Sequence, residues 1–149
     1  MVECDFPELN SFGTVIRFAL ELEMVAATVN EQLANDPKLA SASETFREIA
    51  ANHKKREILL VNTRREKLNE MILEPIQDLD RERYIVDPNI PAGADLKKSA
   101  SFAAGIESTS AEFYNDSSKI AKNLLSEAAR IMEKMAKENL VNKSKLDAL

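Results

Sequence analysis

This sequence predicts an all-α fold, a bundle of four long helices making one domain over residues 1–149. Apolar residues recur at helical spacing in four separate stretches. Glycine is scarce, at 3 residues, and tryptophan is absent, whereas a β-sandwich or barrel of this length needs turn glycines and aromatic residues. The strongest breakers, Pro75, Pro88, Pro91 and Gly93, crowd into one segment instead of punctuating many short strands.

The first helix is expected over 8–33, with Pro7 near its start and Asn35-Asp36-Pro37 ending it. The second is expected over 43–73, from Ser43 as N-cap to the stop at Pro75. Residues 75–95 then form a connector. The third helix spans 96–122 and starts at Asp95 or Leu96, and the fourth spans 126–146 behind Ser126 as N-cap. Short links make the first and second helices, and the third and fourth, antiparallel hairpins. A helix of about 30 residues is about 45 Å long, and about 20 extended residues reach about 66 Å. The connector can therefore run the length of the bundle and set the third helix parallel to the second.

Charge and cysteine usage narrow the function classes. The net charge of −5 disfavours binding to nucleic acid through nonspecific phosphate contacts. The basic runs Lys54-Lys55-Arg56 and Arg64-Arg65 lie among acids and read as solvated helix surface. No apolar run approaches a membrane span, so no membrane role is expected. The acidic start Met1-Val2-Glu3-Cys4-Asp5 lacks the basic opening of a signal peptide. With a single cysteine, which excludes an intramolecular disulfide, this makes the cytoplasm the expected compartment. Cys4 has no partner base in the sequence pattern to mark it as a nucleophile.

Each apolar face carries a polar intrusion. On the first helix Phe12, Val15, Ile16, Phe18, Ala19, Leu22, Val25, Ala26, Val29 and Leu33 share one arc, which Glu23 and Asn30 interrupt. That arc covers more than half the circumference, and burial in a homodimer is one explanation. On the second, His53, Glu57 and Arg64 intrude among Phe46, Ile49, Ala50, Leu60, Val61, Leu68 and Met71. On the third, Glu107 lies inside an arc that includes Phe102, Ile106, Phe113 and Leu124, with Tyr114 nearly on its line. On the fourth, Asn139 is inside the arc and Asn142 at its edge, beside Met132 and Met135, which read as core packing. A lone buried carboxylate costs several kcal/mol unless a cation, a metal or a proton offsets it. Four intrusions converging at one level explain the pattern better than four separate defects.

With Phe18-Ala19-Leu20-Glu21-Leu22-Glu23, with Glu107 followed by Phe113-Tyr114, and with a long connector between two helix pairs, the chain resembles the ferritin-like superfamily of rubrerythrin type. The resemblance covers nearly the whole chain. It implies a Glu on the first and third helices and a Glu-x-x-His motif on the second and fourth, around two iron ions. Glu23 and Glu107 match the first kind. The second-helix slots hold His53 and Arg56, and the fourth-helix slots hold Asn139 and Asn142, so both Glu-x-x-His motifs are lost. Arginine stays protonated and cannot ligate, and Asn is a poor iron ligand.

Two readings follow. In one, the di-iron centre is gone, Arg56, Arg64 or His53 supplies the charge that balances Glu23 and Glu107, and the protein serves a structural or interaction role, expected as a homodimer. In the other, Glu23, His53, Glu57 and Glu107 hold one iron, manganese or zinc ion in an oxidoreductase or metal-handling protein. Tyr114 is then either a residue beside the metal or a core tyrosine donating its hydroxyl to Glu107 or to a carbonyl. Asn30, Asn139 and Asn142 either bind a ligand or satisfy interior hydrogen bonds. A helical adaptor unrelated to ferritins is a third possibility, and it predicts a disordered connector.

Overall fold

The computed structural model describes residues 4–66, 73–122 and 126–149, and among these it is all-helical, with four long helices and no strand. They are α1 (Phe12–Ala34), α2 (Ser43–Glu66), α3 (Leu96–Ala121) and α4 (Ser126–Asp147). None of the described helices is long and apolar enough to cross a membrane.

The first helix begins at Phe12, four residues later than expected, because Ser11 caps it. The Ser11 hydroxyl accepts from the Thr14 amide at 3.2 Å, and Thr14 Oγ1 accepts from the Ser11 amide at 3.0 Å. This reciprocal box satisfies two amides that the helix leaves unpaired. The residues on either side of Ser11 pair with the start of the connector: Phe12 N–H donates to the Glu74 carbonyl and Ile76 N–H to that of Asn10. After α1, Asp36 caps a 3-10 turn over Pro37–Ala42 that runs straight into α2. Ser43 is therefore not a free N-cap; its amide donates back to the Ala40 carbonyl. Asp95 caps α3 by accepting from the Lys98 amide at 2.8 Å. Leu68 and Met71 of the expected second helix and Leu124 of the third lie outside the described residues, and Leu73, the expected end of the second helix, stands exposed in a turn.

The connector is an ordered strap. It carries a short 3-10 turn, Arg81–Arg83, and buries Ile76, Leu79, Tyr84 and Val86. The Tyr84 ring meets Phe113 edge-on with centroids 5.4 Å apart, and Phe113 stacks on Phe18 at 5.0 Å. Phe6 covers the other side of Phe18 at 4.6 Å. The Tyr84 hydroxyl donates to Asp116 Oδ2 at 2.6 Å, which gives its polar end a partner. The broad apolar arc of α1 is thus filled within the chain, by α2, α3, the N-terminal segment and the strap. It does not require a second copy.

Packing is closest between α1 and α2 and between α3 and α4, and α2 meets α4 at only a few points. The α2–α4 seam is tied by polar rungs. Lys145 pairs with Glu48 at 2.8 Å, Asn142 Nδ2 donates to Asn52 Oδ1 at 3.1 Å, and Arg56 Nη2 donates to Asn139 Oδ1 at 2.9 Å. Positions rise along α2 as they fall along α4, so these two helices run in opposite senses.

Candidate functional site

Four helical side chains gather around His53, and the five meet in the interior of the bundle. From α1, Glu23 is buried among Leu22, Ala26 and Ala19, because its position lies within the apolar arc. Glu107 enters from α3, Asn139 from α4, and Arg56 stands three residues after His53 on α2. All five are essentially inaccessible to solvent.

The imidazole stands between two carboxylates. Its Nδ1 lies 2.5 Å from Glu23 Oε1, and its Nε2 lies 2.6 Å from Glu107 Oε1. Carboxylates only accept, so both ring nitrogens donate when the ring is an imidazolium. Burial acts to lower the pKa of His53, but the facing charges of Glu107 and Glu23 outweigh it and raise it to about 9. The outer oxygens are also used. Glu23 Oε2 accepts from Arg56 Nη2 at 3.0 Å and from the Tyr114 hydroxyl at 2.5 Å. Glu107 Oε2 accepts from Asn139 Nδ2 at 3.0 Å. Burial pushes the Glu23 carboxyl up, yet Arg56 and then His53 overcome it and hold the group below the usual carboxylate range. The Tyr114 hydroxyl is driven well above its ordinary pKa by burial and by Glu23, so it stays a donor. Its ring lies under the Arg56 guanidinium, 5.3 Å from carbon to centroid.

Charge therefore closes within the cluster: two carboxylates, one imidazolium and one guanidinium sum to zero. Asn139 joins the halves, accepting from Arg56 and donating to Glu107. Every helix contributes at least one member.

The other expected site residues fall elsewhere. Glu57 is half-buried one turn beyond His53 and has no hydrogen bond to the cluster among the described residues; burial and then the charge of Glu23 raise its pKa. Arg64 is exposed, a correction to its expected core position. Asn30 is buried, but its Nδ2 donates to the Ala26 carbonyl at 2.8 Å in its own helix. Asn142 serves the seam through Asn52, a residue the sequence pattern did not single out. Tyr114 donates to Glu23, not to Glu107 or a carbonyl.

The donor set does not fit the two-iron centre that the ferritin resemblance implies. Both nitrogens of the single histidine are committed to carboxylates, and a guanidinium occupies one of the slots that a ligand would need. Among the described residues no group of three or more His, Cys, Asp or Glu side chains is arranged to hold a metal ion. No protein-family model, curated protein or solved structure matches the chain.

Proposed function

We propose that the protein is a ferritin-like bundle in which His53 and Arg56 do the electrostatic work of a metal centre, and that it serves a structural or interaction role instead of a redox one. The observation that carries this reading is the bridging of Glu23 and Glu107 by His53. An imidazolium between two carboxylates supplies from the chain itself the positive charge that a bound cation would otherwise supply.

The topology of that reading has support in the contacts. Glu107 meets Asn139 while Lys122 meets Glu133, so α3 and α4 read as an antiparallel hairpin. The strap begins beside the start of α1, at the Ser11–Pro75 bridge. It delivers the chain to α3, which packs on the 3-10 turn after α1. A connector that travels between opposite ends of the bundle is the long crossover of ferritin-like folds.

The test is metal analysis of protein purified without chelator, with His53→Gln and Glu107→Gln alongside. The expected result is no stoichiometric iron, manganese or zinc in any of the three. A tightly held transition metal in the wild type, lost in both variants, would replace this reading with a single-metal one.

A further inference from the structure

We propose that the α2–α4 face is a homodimer interface in which Lys55 of each copy meets Glu138 of the other. This rests on the interaction role proposed above and names its surface.

A groove of about 390 Å³ runs along the α2–α4 seam. Two segments of matching pattern line it, Glu48-Ile-Ala-Ala-Asn52-His-Lys-Lys55 on α2 and Glu138-Asn-Leu-Val-Asn142-Lys-Ser-Lys145 on α4. Each presents Glu, Ala or Val, Asn and Lys at steps of three, four and seven, which share one helix face. Because the helices run in opposite senses, the two segments are related by a local twofold axis. Asn52 and Asn142 meet at its centre. The charges form a rectangle with opposite signs at adjacent corners.

Such a rectangle is complementary to itself. A second copy related by a twofold axis in the plane of the face, parallel to the helices, lays its α4 over α2. Each negative corner then meets a positive one. Within one chain, Glu48 and Lys145 already pair at 2.8 Å, while Lys55 and Glu138 share no ion pair among the described residues. The dyad along the helices gives these two charges to each other across the interface and leaves the Glu48–Lys145 pair intact.

Exposed apolar side chains extend this face only in part: Ile58 and Leu59 continue the three- and four-residue steps from Lys55 along α2, whereas exposed Leu140 turns to the α3 side of α4. Val141, 55 % exposed, lines the groove itself. Two helices of roughly 35 Å, side by side and about 20 Å wide, present about 700 Å², close to the roughly 800 Å² per partner of a stable interface.

Sedimentation equilibrium of the full chain across the micromolar range tests this, with circular dichroism to show that each variant keeps its helix content. The wild type is expected to be a dimer. Val141→Glu, Lys55→Glu and Glu138→Lys each place a charge against an apolar or like-charged neighbour, and each is expected to raise the dimer Kd about tenfold or more. The double variant Lys55→Glu/Glu138→Lys is expected to return to within about threefold of wild type. A monomeric wild type, or a folded Val141→Glu that dimerises as well as wild type, overturns the interface. Failure of the double variant to recover overturns the pairing. None of these outcomes touches the charge-balanced core, which metal analysis tests separately.

Discussion

His53 has two carboxylate neighbours and no water-facing edge, so its charge is set by Glu107 and Glu23 against the cost of burial. Removing the ring in His53→Ala leaves two buried carboxylates facing a gap, with Arg56 their only cation. The expected loss is about 3–5 kcal/mol, measured by urea unfolding. His53→Gln keeps neutral hydrogen bonding and is expected to lose less. The pH dependence has a definite sign. The folded pKa of His53, about 9, lies above its ordinary value of 6.5. Its contribution is therefore whole below about pH 6.5 and is lost as pH rises through about 9. Unfolding midpoints of the wild type should fall across that window, while those of His53→Gln should stay flatter. Glu23 acts in the opposite sense: its pKa is depressed, so its contribution is lost on acidification. At this scale the sequence was informative. Glu23, His53, Glu107 and Asn139 were legible because a polar residue inside an apolar arc at helical spacing has nowhere else to point. Arg64 misled because it sits at the edge of the arc, and the buried position at that level is the neighbouring Thr63.

At the level of elements, caps and straps decide where helices start and what covers them. Ser11→Ala removes the acceptor for the Thr14 amide and is expected to cost about 1 kcal/mol in chemical denaturation. The strap matters more. Tyr84 is fully buried against Phe18 and Phe113 and donates to Asp116. Tyr84→Ala is expected to cost roughly 3–5 kcal/mol, and to open residues 75–95 to limited proteolysis before the helices are cut. The strap as an element was legible from its prolines, but its burial was not. Side chains in irregular backbone have no period to read, and a lone tyrosine in a loop was the one available cue. The later start of α1 had a similar cause. Pro7 looked like a helix opening, but Asn10 and Phe12 gain backbone partners from Ile76 and Glu74 that an extra helical turn could not supply.

Over the whole molecule, the four helices meet at one polar centre, while most of the remaining core is apolar. Replacing the cluster as a unit with apolar residues of similar size is expected to leave stability unchanged or raise it by about 1–4 kcal/mol, read by calorimetry, because desolvation of four charges is then avoided. Loss of cooperative unfolding in that variant would show that the polar contacts select one packing out of several. Four helices, short links within pairs and a long link between them were legible from breakers and spacing alone. The matching groove segments were not, since similarity between α2 and α4 gains meaning only once the two are seen side by side.

The zero sum at the centre has a consequence for how the chain can vary. A substitution that changes the charge of Glu23, His53, Arg56 or Glu107 alone leaves an odd charge in the interior, whereas a matched exchange of one anion and one cation does not. Drift through these four positions should therefore favour paired steps, and in a library of random double substitutions opposite-sign pairs should be enriched among the more stable members.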